Sequence, residues 1–222
     1  MVSALLLGSI STVVDTSELQ RRAFNEAFSR HDLDWEWDRE QYRAMLAGNG
    51  GSDRIAEYAR SVGASVDADA VHATKSAIFQ ERLASSAARP RPGVAETIRA
   101  AREAGLRVGL VTSTSKENVT ALLDAVTDDI DAATLDVVVD SSRVERTKPD
   151  PGAYTVALGE LGFDASQCLA VEDNVGGVRA AVAAGVPCVA FPNENTGSHD
   201  FADAAGRVDR LDLAELRSLA DR

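Results

Sequence analysis

The sequence predicts an α/β fold in which a core of parallel strands is interrupted, after its first strand, by a block of helices. Short apolar runs alternate with helical patterns over residues 89–222, as is typical of parallel βαβ units. Residues 17–88 contain only helical patterns, and one apolar run, Ala4–Leu7, precedes them. The first strand therefore belongs with the C-terminal part of the chain.

Five short apolar runs are predicted to form the strands of this core. They are ALLL at 4–7, LRVGLVT at 106–112, TLDVVVD at 134–140, CLAVED at 168–173 and VPCVAFP at 186–192. A helical pattern ending at Gly105 precedes the second run, and helical stretches separate the later runs from one another. This alternation predicts a parallel sheet.

The helical block begins with an amphipathic segment, Ser17–Arg30. Its apolar residues fall near helical spacing, at Leu19, Ala23, Phe24 and Phe28. Further helical patterns follow to about Ala88, where the turn-forming run RPRPG at 89–93 ends the block. We therefore expect residues 1–16 and 89–222 to form the core and residues 17–88 to form a separate helical unit. Trp35 and Trp37 fit the interior of that unit better than a sugar-stacking platform.

Composition limits the classes of partner. The 222 residues include 35 acidic and 23 basic side chains, for a net charge of -12, and this field disfavours nucleic acid and anionic membranes. No uninterrupted apolar run approaches the length of a membrane span, and the N-terminus lacks a signal-peptide pattern, so we expect a cytoplasmic protein. Cys168 and Cys188 lie in apolar runs and are expected to be buried thiols.

Polar residues follow the predicted strands where the strands end. They are Gly8–Ser11, the hydroxyl run Thr112-Ser113-Thr114-Ser115, Lys148, and the acid pair Glu172-Asp173. Because the carboxyl ends of parallel strands share one edge, these groups are expected to lie together. Hydroxyls, backbone N–H groups and a lysine suit an oxyanion, and two carboxylates with water suit Mg²⁺. The combination predicts a phosphate site.

Each of these features also has a purely structural interpretation. The TSTS run at 112–115 is typical of a helix N-cap, Lys148-Pro149 of a solvated turn and Glu172-Asp173 of a loop. Their order along alternating strands favours the functional interpretation.

Longer motifs resemble a known family. The runs DTSELQRRAFNEAF, VTSTSKENV, RTKPDPGAY and AVEDNVGGVRAAVAAGV, with the helical block, are similar to the haloacid-dehalogenase-like superfamily. Within it the chain resembles the CbbY-type phosphosugar phosphatases, near β-phosphoglucomutase. The resemblance covers nearly the whole chain. It implies a Rossmann-like core, a four-helix cap over the substrate, and Mg²⁺-dependent phosphoryl transfer through an aspartyl phosphate.

The chain departs from this family at the end of its first strand. The family has Asp-x-Asp-Gly there, with the first aspartate as nucleophile and metal ligand and the second as general acid/base. This sequence has Gly8-Ser9-Ile10-Ser11. Glycine cannot attack phosphorus and isoleucine cannot transfer a proton, so the resemblance implies a pseudoenzyme without catalytic residues of the usual kind. Ser9 and Ser11 have no base beside them in the sequence to activate them.

The resemblance also assigns binding roles. It implies phosphate contacts from Thr112, Ser113 and Lys148, and only weak Mg²⁺ binding by Glu172 and Asp173. On the cap side it implies substrate contacts from Asp15, Thr16, Gln20 and Arg54, the last within GGSDR at 50–54. Asp15 or Thr16 as N-cap, and Gln20 or Arg54 as solvated surface residues, remain open alternatives.

Three functions remain open on the sequence. The first is a protein that binds a phosphorylated small molecule, such as a sugar phosphate, or acts in regulation through a protein partner. The second is an active hydrolase of unusual mechanism on a small phosphate ester. The third is a protein-interaction module without a ligand.

Overall fold

The computed structural model describes residues 2–46 and 50–220 and has a six-stranded parallel sheet. The strands are β1 (Ala4–Leu7), β2 (Arg107–Val111), β3 (Val137–Val139), β4 (Cys168–Glu172), β5 (Cys188–Ala190) and β6 (Gly206–Arg207). Their order across the sheet is β3-β2-β1-β4-β5-β6, and every neighbouring pair is parallel. The predicted fold class is confirmed.

Helices account for most of the remaining described residues. They are α1 (Ile10–Val13), α2 (Ser17–Arg30), α3 (Arg39–Met45), α4 (Gly51–Ser61), α5 (Ala68–Ala84), α6 (Val94–Glu103), α7 (Lys116–Ala125), α8 (Gly152–Leu161), α9 (Val175–Ala183) and α10 (Leu213–Ala220). Among the described residues between α1 and α6 there is no strand, as the helical pattern of that block predicts.

Sheet register determines where the polar loops lie. Leu7 is paired with Leu110 on one side and with Val171 on the other, so β1, β2 and β4 end at the same level. Gly8, Thr112 and Glu172 lie at or just beyond these ends. The carboxyl edge of the sheet therefore gathers the predicted groups.

Two hydrophobic layers pack against the sheet. One includes Leu5 and Leu7 and continues into the inserted helices through Phe24, Phe28 and Trp37. The other includes Ala4 and Leu6 and packs against α8 and α9. Both cysteines are buried free thiols, as predicted. Trp37 is fully buried, with its ring centroid 4.9 Å from that of Phe24.

Three elements were not expected from the sequence. Helix α1 begins where a loop was predicted, because the Ser9 side chain accepts hydrogen bonds from the N–H groups of Ser11 and Thr12 and so caps a short helix. The other two are the two-residue strand β6, which is the last strand of the sheet next to β5, and helix α10 near the C-terminus. Across the described ranges, no helix combines the length and apolar character needed to cross a bilayer.

Candidate functional site

A cavity of about 430 Å³ lies at the carboxyl edge of the sheet. The loops after β1, β2 and β4 line its floor, and side chains from α2, α4 and α5 line the opposite wall. Of the predicted site residues, the cavity lining includes Gly8, Ile10, Gln20, Arg54, Thr112, Ser113, Lys148 and Asp173.

Gly8 and Ile10 both border the cavity, although the strand ends before either of them. β1 stops at Leu7, and Ile10 is the first residue of α1. Ile10 is 4% exposed and belongs to the hydrophobic cluster that includes Leu7. At these two positions the floor therefore consists of glycine backbone and an aliphatic side chain.

Glu172 lies beneath Gly8 instead of lining the cavity. It is completely buried, its Oε1 is 2.6 Å from Lys148 Nζ, and the Tyr154 hydroxyl donates to Oε1 at 2.8 Å. Oε2 has no hydrogen-bond partner within the described part of the chain. Burial raises the pKa of Glu172, and the Lys148 ammonium opposes that shift.

The Lys148 ammonium, predicted to contact phosphate, is engaged within the protein. Nζ donates to the carbonyl oxygen of Gly8, to that of Val111 at 2.6 Å and to Glu172 Oε1. An ammonium has three N–H donors, so these contacts use all of them. Lys148 borders the cavity, but it can donate to a phosphate only by giving up one of these partners.

Asp173 is held by neutral donors. Its Oδ1 accepts from Ser9 Oγ at 2.6 Å and from Thr12 Oγ1 at 3.3 Å, and its Oδ2 accepts from Asn193 Nδ2 at 2.8 Å. The sequence suggested that Ser9 lacks a base. That expectation is wrong, because the fold brings Asp173, distant in the sequence, next to the Ser9 hydroxyl.

These carboxylates fit a Mg²⁺ site poorly. The ion prefers carboxylate oxygens and water in near-octahedral geometry. Glu172 is paired with a lysine through Oε1 and is completely buried, so only Oε2 is left, and both oxygens of Asp173 are occupied by side-chain donors. Nowhere in residues 2–46 and 50–220 do three or more His, Cys, Asp or Glu side chains converge in a metal-binding group.

The hydroxyl run after β2 contains a helix cap and also borders the cavity. Ser115 caps α7 by accepting from the N–H of Asn118. Thr112, which is buried, accepts from the N–H of Thr114, and Ser113 Oγ accepts from the N–H of Lys148 at 3.1 Å. All four hydroxyl residues border the cavity.

A cationic group lies on the opposite wall of the cavity. Lys75 on α5 is 3% exposed, donates to Gln20 Oε1 at 3.1 Å and lies 4.8 Å from the centroid of the Phe24 ring. Within the described ranges no carboxylate forms a salt bridge with it. Burial, with a smaller contribution from Arg54, lowers the pKa of Lys75 to about 7. Burial and the charges of Lys75 and Arg54 lower the pKa of His72 to about 4.

Lys75 and His72 were missed in the sequence analysis. The signal was present, because Lys75 falls between Val71 and Ile78 on the apolar face of α5, where a charged residue is out of place. Arg54 does border the cavity, and its guanidinium carbon lies 5.7 Å from the centroid of the Tyr42 ring.

Two of the predicted substrate contacts, Asp15 and Thr16, lie outside the cavity lining. Asp15 is exposed, and its Oδ1 accepts from the N–H and the hydroxyl of Ser17 at the start of α2. Thr16 is buried, with its hydroxyl 2.7 Å from that of Ser11. Neither borders the cavity, because both belong to the turn that starts α2.

This combination of a parallel sheet, a helical insertion and a polar edge defines an α/β protein with a ligand-sized cavity at the carboxyl edge of its sheet. Residues 10–185 match the haloacid dehalogenase-like hydrolase family, and the chain belongs to that family. It is 37% identical to the protein CbbY of Cereibacter sphaeroides over 223 residues, covering 99% of this chain and 96% of the relative. It is 35% identical to CbbY of Rhodobacter capsulatus, covering 99% and 98%.

Solved structures agree with this assignment. CbbY from Rhodobacter sphaeroides in complex with phosphate superposes with a TM-score of 0.88, 35% identity and full coverage of both chains. A mutant of the same protein in complex with xylulose-(1,5)bisphosphate gives a TM-score of 0.87 with 95% coverage of each chain. A β-phosphoglucomutase from Clostridium difficile, at 18% identity and a TM-score of 0.78, shares the fold.

Proposed function

We propose that this protein binds a phosphorylated sugar and does not hydrolyse it by the aspartate route of its family. The proposal depends on one observation. The cavity has hydroxyl and cationic groups that suit anions, yet positions 8 and 10 of its floor offer only glycine and isoleucine. We take these positions as those of the replaced Asp-x-Asp motif.

Without carboxylates at positions 8 and 10, the protein lacks the catalytic groups of its family but keeps the cavity. Without a nucleophile at position 8 the covalent route is absent. Without an acid/base at position 10 a further factor of about 100 to 10,000 is lost. Thr112, Ser113 and the N–H groups of their loop remain to bind one phosphate, and Lys148 joins them if it exchanges one of its present contacts.

The opposite wall supports a ligand with a second anion. Arg54 and Lys75 border the cavity there, and Lys75 has no carboxylate counter-ion among the described residues. The CbbY relatives bind phosphate and xylulose-(1,5)bisphosphate. A sugar bisphosphate with one phosphate at the hydroxyl run and the other at the two cations fits both ends of the cavity. On this proposal residues 17–88 act as the substrate-selecting cap.

Ligand binding and turnover are tested on the same samples. Thermal unfolding is followed with xylulose 1,5-bisphosphate, a xylulose monophosphate, inorganic phosphate and free xylulose, and released phosphate is assayed after long incubation. We expect the bisphosphate to protect most, free xylulose not to protect, and no release above a protein-free control. Steady release would contradict the proposal. Absence of protection by every phosphate compound would favour a regulatory or protein-interaction role without a ligand.

One contact favours a second candidate, an active phosphatase with serine as nucleophile. Ser9 Oγ donates to Asp173 Oδ1 at 2.6 Å and accepts from the N–H groups of Ser11 at 2.9 Å and Thr12 at 3.1 Å. Asp173 would take the hydroxyl proton as Oγ forms a bond to phosphorus. The sugar oxygen would leave with that proton, and water would then hydrolyse the phosphoserine.

Two observations weigh against this candidate. The same Oγ lone pairs cap α1, and the route lacks the acid that the family places at position 10. Mass spectrometry after incubation with the bisphosphate decides the matter, because a phosphate added to Ser9 and lost in Ser9→Gly would establish the serine route. Ser9→Gly is suited to the test because glycine is tolerated as an N-cap.

A further inference from the structure

We infer that Glu172 has taken the space of the missing side chain at position 8, and that Lys148 neutralises it in place of a metal ion. The ligand-binding arm of the test below rests on the proposed function, whereas the stability arm does not. As a consequence, the Lys148–Glu172 pair fills the space beneath the phosphate site, and phosphate binds there without a metal ion.

The steric part of the inference comes from two glycines. A Cβ atom placed on Gly8 would lie 2.6 Å from Cγ of Glu172 and closer still to its Cδ. A Cβ atom placed on Gly177, in α9, would also overlap the Glu172 carboxylate. The carboxylate therefore occupies a notch that exists only because both positions lack side chains.

The electrostatic part comes from the ion pair inside this notch. The Lys148 and Glu172 side chains are 3% and 0% exposed, and their charged atoms are 2.6 Å apart. Because Lys148 also donates to the Gly8 carbonyl, the lysine joins the floor to the glutamate. A divalent ion bound at Oε2 of Glu172, which is unpartnered among the described residues, would face the ammonium held at Oε1 as a like charge, which disfavours metal binding.

A double-mutant cycle tests the steric part without any ligand. Gly8→Ala is expected to lower the Tm strongly in the wild-type background. It should lower the Tm just as strongly with Glu172→Gln, because the amide fills the same volume. With Glu172→Ala, adding Gly8→Ala should have little further effect, because the notch is empty.

Gly159→Ala is the matched control for the cycle. Gly159 is an exposed helical glycine with no atom within 4 Å of an added Cβ, so alanine there should keep or raise the Tm. If Gly8→Ala behaves like Gly159→Ala in the wild-type background, the inference is wrong. Equal effects of Gly8→Ala in the Glu172→Ala and wild-type backgrounds would also overturn it.

A metal arm uses the wild-type protein and so does not depend on the variants folding. Calorimetric titration with inorganic phosphate is expected to give the same Kd in Mg²⁺ as in a chelator, and titration with Mg²⁺ alone should give no saturable heat. A Kd for phosphate that tightens tenfold or more in Mg²⁺ would contradict the inference. If phosphate binds in neither condition, the proposed function fails, while the cycle still decides the steric part.

Discussion

Gly8 and Glu172 compete for one volume: a side chain at position 8 would overlap the Glu172 carboxylate, which Lys148 holds in place. The relationship connects the glycine at position 8 with the poor fit of Glu172 and Asp173, among the residues described, to a Mg²⁺ site. It also means that an aspartate cannot be introduced at position 8 without moving Glu172.

The first prediction concerns such a reconstruction. Gly8→Asp with Ile10→Asp is expected to lower stability and to restore neither Mg²⁺ binding nor turnover. The aspartate introduced at position 8 must expel Glu172, and Ile10 is 4% exposed, so its loss alone costs about 2–5 kcal/mol. Denaturant unfolding and phosphate release measure the two effects. A stable double variant that hydrolyses a sugar phosphate in Mg²⁺ would contradict the account.

The second prediction concerns the cationic wall. Lys75→Met should weaken binding of a sugar bisphosphate by roughly 10- to 150-fold, because a charge-assisted contact worth about 1.5–3 kcal/mol is lost. Binding of inorganic phosphate at the hydroxyl run should change far less. Lys116→Met, at an exposed lysine on α7, is the matched control. Equal weakening by both variants, measured by calorimetry, would exclude a specific role for Lys75.

The third prediction uses the pKa of Lys75, which burial lowers to about 7 from 10.5. Between these values the unfolded chain binds more protons than the folded protein, so the stability of the empty protein should rise with pH. The free energy of unfolding should rise by at most about 1.4 kcal/mol per pH unit. This rise disappears below about pH 7, where Lys75 is protonated in the folded and the unfolded protein.

Denaturant unfolding checks this sign between about pH 7 and about pH 8, below the ordinary thiol pKa of about 8.5. The wild type should gain stability over this window relative to Lys75→Met. In the same window the affinity for a bisphosphate should fall, because Lys75 loses its charge. If the difference in free energy of unfolding between the wild type and Lys75→Met does not change with pH, the lowered pKa of Lys75 is contradicted.

The fourth prediction concerns Ser9. Ser9→Ala should lower the free energy of unfolding by about 1 kcal/mol, because α1 loses its N-cap, and Ser9→Gly should lower it by only a few tenths. Neither variant should alter phosphate release from a sugar phosphate, since none is expected from the wild type. Release that both variants abolish would establish the serine route.

The sequence was sufficient to predict the fold because the apolar runs and the turn residues agree. Strand ends that meet at one level brought Gly8, Thr112 and Glu172 to one edge, as the alternation of strands and helices predicted. The same reasoning, with the family resemblance, identified Ser113, Lys148, Gln20 and Arg54 as residues of the site, and all four border the cavity.

The errors arose where long-range contacts determine the environment of a side chain. The phosphate and metal contacts predicted for Lys148 and Glu172 stay predictions, but the sequence did not reveal that the two side chains pair in the space left by Gly8 and Gly177. Ser9 and Asp173 are 164 residues apart, so their hydrogen bond has no local signature. The sequence could not separate capping from ligand contact at Asp15 and Thr16, because both use the same residue types at a helix start.

Phosphorus NMR of xylulose 1,5-bisphosphate mixed with the wild-type protein tests the central claim most directly, because one spectrum reports both binding and hydrolysis. We predict that both phosphate resonances shift or broaden in the presence of a chelator, that excess Mg²⁺ does not strengthen this binding, and that no inorganic phosphate signal appears after prolonged incubation. An inorganic phosphate signal that grows once Mg²⁺ is added would contradict the account.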